Sequence, residues 1–171
     1  MTKKIYPLGE CQIKYTPKEG TEVIIATTLK EDECSLTVTT SGYKIEVDQL
    51  EGPYLYNTKI DEASFKCSSF FDLEQFEKVS NLLEKGTTGL AFSASGKPVQ
   101  VGKLEIHPVA AGENKEFDII APKAFLLPTI NLNYKKEGVS KVDFNFEFAS
   151  DETAESPTFG KLFTVGNYTK S

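Results

Sequence analysis

The segment Val139 to Phe148 alternates without a break from Lys141 onward. Val142, Phe144, Phe146 and Phe148 fall on one side, and Lys141, Asp143, Asn145 and Glu147 on the other. A side-chain period of two belongs to a β-strand. Three phenylalanines in register require apolar cover on one face, while the opposite face stays polar. Such a strand must therefore sit in a larger sheet, and the rest of the chain is suited to build one. Thr, Val and Ile make up 36 of the 171 residues, and these β-branched side chains fit a pleated, half-buried surface.

Further strands are expected along the chain. Cys11, Ile13 and Tyr15 share one face of a short alternating segment, and Thr21 to Leu29 is nearly continuous through Val23-Ile24-Ile25-Ala26, as for a strand covered on both faces. Leu36 to Thr39 and Tyr43 to Asp48 alternate around Ser41-Gly42, which predicts a hairpin with a tight turn there. Gln49 to Asn57 contains Gly52-Pro53 and reads as a loop. That loop carries Tyr54, Leu55 and Tyr56, which are either tucked beneath it or offered to a partner. Thr58 to Ser68, Val99 to Ile106, Ala124 to Asn133 and Gly160 to Val165 complete the strand candidates, with Pro128 marking an edge or bulge.

One helix is predicted, over about 72–84. Asp72 caps it, Gln75 stands three residues on, and Leu73, Phe76, Val79, Leu82 and Leu83 make an apolar stripe that Gly86 ends in a left-handed stop. Thr87 to Pro98, Ala110 to Asn114 and the acidic stretch Asp151 to Pro157 read as turns or loops, and both termini are polar. The expected fold is mainly β: a β-sandwich or half-open barrel with one flanking α-helix, in a single domain spanning 1–171 with its core at about 8–166.

Composition narrows the chemistry. Nineteen basic against 25 acidic residues leave a net charge of −6, which argues against a basic nucleic-acid-binding surface. There is no apolar run of the roughly 20 residues that span a bilayer, nor an apolar stretch behind Met1 that reads as a secretory signal. The single histidine, His107, precludes a multi-histidine metal site and reads as a strand-end residue beside Pro108. Cys11, Cys34 and Cys67 form no C-x-x-C pair, and an odd number of cysteines fits reduced thiols. None of the glycine-rich phosphate loops or the nucleophile-elbow motif occurs. The expectation is a non-enzyme, with no catalytic, cofactor-binding or metal residues.

The order of pieces resembles the tail tube proteins of long-tailed bacteriophages. The likeness is carried by Ile45-Glu46-Val47-Asp48-Gln49, the Pro-containing loop, the strand Thr58 to Ser68 and the single helix from Asp72. It continues through Leu104-Glu105-Ile106-His107-Pro108, Pro122 to Pro128, Val142 to Phe148, and Phe163-Thr164-Val165-Gly166, so that it spans roughly Leu8 to Gly166. Relatives of the same fold include the ring-forming tube protein of the type VI secretion apparatus.

The resemblance implies a structural subunit that forms hexameric rings, stacked into a hollow conduit for genome delivery. Its implied place is the virion tail, assembled in the host bacterial cytoplasm, with tape measure, tip or baseplate and terminator proteins as partners and no membrane insertion of this chain. About four strands from each of six subunits, spaced about 4.8 Å and tilted near 40°, would close a backbone cylinder on the order of 45–50 Å across. DNA would pass without specific binding if acidic side chains lined the bore. The lumen candidates are Glu46, Asp48, Asp61, Glu62, Asp143 and Glu147, and the inter-ring contact candidates are Pro53, Tyr54, Leu55 and Tyr56. Two other readings stand beside this one: a monomeric β-sandwich binding module, and the tube protein of a type VI secretion-like apparatus.

Overall fold

The computed structural model describes residues 9–25, 34–46, 53–94, 97–134 and 140–169. Its strands are β1 (Cys11–Pro17), β2 (Val23–Ile25), β3 (Ser35–Glu46), β4 (Pro53–Phe70), β5 (Leu83–Lys85), β6 (Leu90–Phe92), β7 (Gln100–Pro108), β8 (Ile119–Asn131), β9 (Lys141–Phe148) and β10 (Thr164–Val165), with the helix α1 (Leu73–Val79) after β4. One antiparallel sheet runs β2-β1-β7-β8-β9-β4-β3, β10 adds to β8, and β5 with β6 makes a separate hairpin.

Every long strand of the sheet turns one face to the core. Ile13 and Tyr15 of β1, Leu104 and Ile106 of β7, Ala124 and Leu126 of β8, Ala63, Phe65 and Cys67 of β4, and Val142 to Phe148 of β9 are buried at alternate positions. The four inward residues of β9 are those that the alternation marks, and Phe146 is fully buried. The sheet does not lie flat. Tyr15 and Phe146 belong to strands with two others between them, which in a flat sheet would hold them about 14 Å apart. Their rings meet at 5.3 Å. The sheet therefore curls round its own core, and α1 sets Phe76 and Val79 into the concave side, with Phe76 against Phe71 and Phe92. The mainly-β expectation holds, and of the two architectures the half-open barrel describes it: one curled sheet, unclosed among the described residues, with a flanking helix.

Several local expectations are corrected. The helix is shorter than 72–84. Asp72 does cap it, accepting from the amides of Glu74 and Gln75, but it ends at Ser80, whose backbone is extended. The Ser80 hydroxyl accepts from the Leu82 amide, and Asn81 reaches the Pro98 carbonyl. Short polar side chains of this kind hold backbone out of a helix. Leu83 instead begins β5, and the loop expected at Thr87 to Pro98 contains β6.

Ser41-Gly42 is no turn. β3 passes straight through it, paired to Lys59 and Thr58 of β4. The loop expected at Gln49 to Asn57 is strand from Pro53 onward, so Tyr54, Leu55 and Tyr56 lie on β4; the turn itself, with Asp48, lies outside the described residues. Residues 26–29 of the strand expected at Thr21 to Leu29, and Val139, are also outside them.

β8 is central, yet it contains two prolines. Pro128 faces Phe144 of β9, and β7 has already stopped opposite Leu126. Pro122 sits where the β7–β8 register shifts, between Gly102 opposite Ala124 and Leu104 opposite Ala121. Both sites lack a ladder partner that would need the missing N–H. Across from the second, a Cβ on Gly102 would lie 2.2 Å from the Thr16 carbonyl oxygen. Only glycine lets β1 approach this closely.

Candidate assembly surface

Two surfaces stand out, and both follow from how β3 and β4 are paired. β4 is 18 residues long, but β9 covers only Ser64 to Phe70. The remainder, from Pro53 to Ala63, has β3 as its only partner among the described residues. A register shift at Thr39/Thr40 marks where this two-stranded arm leaves the sheet. The extra residue is Asp61. It accepts from the Ser41 hydroxyl at 2.9 Å and pairs with Lys59 at 3.2 Å, and these contacts hold its carboxyl below its ordinary pKa, the Ser41 hydrogen bond most of all.

The arm is apolar as well as open. Tyr43, Ile45 and Ile60 are all exposed by more than two fifths, and the Asn57 amide donates to the Tyr43 hydroxyl across the strands. An isolated two-stranded hairpin is marginal in water. Among the described residues β3, 12 residues long, is also an edge strand, and natural sheets usually shorten or charge such an edge.

The second surface is the convex face of β8-β9-β4-β3. Register places Phe125, Glu147, Ser64 and Thr37 in one row, and Leu127, Asn145, Lys66 and Ser35 in the next. Thr129, Asp143 and Ser68 form the third. Asp143 is clamped there, accepting from Ser68 Oγ at 2.5 Å and from Asn131 Nδ2 at 2.9 Å. The wall is mostly polar, with Phe125 and Leu127 on its β8 side and with Lys66 between Glu147 and Asp143.

The sequence-selected residues are thus dispersed. Asp143, Glu147 and Glu62 share the convex face, and Asp61 sits at its border with the arm. Glu46 ends β3 opposite Pro53 at the far end of the arm, and Asp48 lies outside the described residues. Pro53, Tyr54, Leu55 and Tyr56 are brought to that same far end, as strand rather than loop. Sequence reading missed Ile60 and the neutral partners Ser64, Ser68 and Asn131. The available signal was the even spacing of Ser64, Lys66 and Ser68 opposite the core residues Phe65 and Cys67.

His107 is near the end of β7, as expected, and both of its ring nitrogens are held. Nδ1 meets Asp118 Oδ1 at 2.5 Å and Nε2 meets the Gly112 carbonyl at 2.8 Å. Two acceptors favour the doubly protonated ring. The pKa is raised accordingly, by Asp118 chiefly and by Gly112, against partial burial and Lys115. Asp151 anchors the loop before β10. It accepts from the Thr153 amide and from the Ser156 and Thr158 hydroxyls, the latter two at 2.6 Å. The hydroxyls, Ser156 first, hold its pKa well below the carboxylate range. No protein-family model matches the chain, and no curated protein matches it.

Proposed function

We propose that the chain is a structural assembly subunit of the tail-tube kind, closing into hexameric rings that stack into a hollow conduit. The observation that supports this most is the arm of β3 and β4. Among the described residues it presents an open strand edge, together with exposed Tyr43, Ile45 and Ile60. Edge strands add neighbours through backbone hydrogen bonds, and covering the apolar residues supplies the stability that a lone hairpin lacks. Joined edge to edge through β3, the contiguous strands β8-β9-β4-β3 would present their convex rows to a common bore. Serine, threonine and asparagine beside Glu62, Asp143 and Glu147, with Lys66 among them, would make a polar wall in which the carboxylates outnumber that lysine and repel a phosphate backbone. The far end of the arm, with Pro53 to Tyr56, would then reach the adjoining ring.

Negative-stain microscopy with mass photometry of the purified protein tests this directly. Rings or tubes support the reading. A lone species of 18.9 kDa at micromolar concentration, unchanged by added salt or by concentration, overturns it in favour of a monomeric binding module. Ile45→Lys with Ile60→Lys abolishes rings while the monomer's melting transition persists. Rings that survive both changes remove the arm from the contact.

A further inference from the structure

The three cysteines, widely spaced in sequence, meet in the fold. Ser35 of β3 pairs with Lys66 of β4, so the next positions in the same antiparallel register are Cys34 and Cys67. Both lie on the core-facing side: Cys67 follows Ala63 and Phe65 in the inward alternation of β4 and faces Phe144 across the ladder. Direct cross-strand neighbours have Cα atoms about 4.5–5.5 Å apart, inside the roughly 4.4–6.8 Å that a disulfide spans. The two thiols are already hydrogen-bonding neighbours. Cys11 comes to the same cluster from β1, far from β3 in the strand order, because the sheet curls.

We infer that Cys34 and Cys67 form an oxidation site, closing on exposure to a peroxide into a cross-strand disulfide that fastens the start of β3 to β4. The inference is independent of the tube reading. Cys34 is half-buried and Cys67 is buried, so the peroxide meets Cys34 first. Its sulfur displaces water from the peroxide O–O bond and becomes a sulfenic acid. The Cys67 sulfur then attacks that sulfur, and the hydroxyl leaves as a second water. Two thiols lose two hydrogens and one peroxide becomes two waters. The hydrogen bond with Cys34 and then burial push the Cys67 thiol up, and burial and then Cys34 push up that of Cys11, so both ionise reluctantly. The reaction is therefore slow near neutrality and faster in alkali.

Hydrogen peroxide treatment of the folded protein, followed by intact mass and peptide mapping, reads the outcome. The expected product has lost 2 Da and two of its three titratable thiols, joins the peptides containing Cys34 and Cys67, and reverts with dithiothreitol. Cys11→Ser retains that linkage and Cys34→Ser abolishes it. In denaturant the pairing becomes mixed, which shows that the fold directs it. Retention of three free thiols, oxygen addition without a crosslink, or a dominant linkage through Cys11 each overturns the inference.

Discussion

The curl of the sheet is measurable as a coupling between Tyr15 and Phe146. Phe146 is fully buried and touches Tyr15, Phe65 and Phe144 at ring separations of 5.3, 6.4 and 6.3 Å. Truncation to alanine would cost about 3–5 kcal/mol, a large share of a domain's total of about 5–15, so leucine is the better probe. Phe146→Leu should cost about 1–1.5 kcal/mol, since it nearly conserves volume. Tyr15→Leu should cost a similar amount or less, because it also removes a buried hydroxyl with no hydrogen-bond partner. In the double variant the lost ring–ring contact is counted once. Its cost should fall short of the sum by about 0.5–1.5 kcal/mol, the worth of an aromatic pair beyond area. Urea unfolding of the four proteins at constant slope gives the cycle. A coupling below about 0.3 kcal/mol would mean that β1 and β9 do not face each other. The curl would then be wrong, and with it the approach of Cys11 to the other two cysteines.

Gly102→Ala should destabilise by about 1–3 kcal/mol, because the new Cβ meets the Thr16 carbonyl and the Pro17 backbone; an unchanged urea midpoint would refute the close approach. His107 has its pKa raised above 6.5, so its contribution is complete below that pH and is lost as pH climbs through the folded value. The gap in melting temperature between wild type and His107→Gln should accordingly be widest in mild acid and narrow in alkali, and a gap that widens with pH would contradict the geometry. Asp151 has the opposite sign, its pKa being depressed below 3.8. Asp151→Ala should lower the melting temperature at neutral pH, and the difference from wild type should disappear as pH falls through the folded value, as thermal melts across an acid series will show.

The inward face of β9 was legible from residues alone, because a strand's period of two leaves no freedom about which side Val142, Phe144, Phe146 and Phe148 share. The Asp72 cap was legible for a similar reason: its hydrogen bonds reach only two and three residues along the chain. Where sequence reading failed, the deciding partner was remote. Ser41-Gly42 suits a turn as well as it suits a strand, and β4 running opposite made it a strand. Leu82 and Leu83 continue a helical stripe, yet Ser80 and the pairing of β5 with β6 drew them out of it. Pro128 reads as an edge residue and stands in a central strand, tolerated because β7 ends just short of it. The acidic residues chosen for a bore were found by type, but their grouping depends on cross-strand register, which no single strand contains. Register between β3 and β4 brings Cys34 to Cys67, and Cys11 reaches them only through the curl of the whole sheet. That curl goes with a core in which Tyr15 meets Phe146 and Phe76 of α1 is buried, side chains from three different elements, and it exists only once the chain has folded.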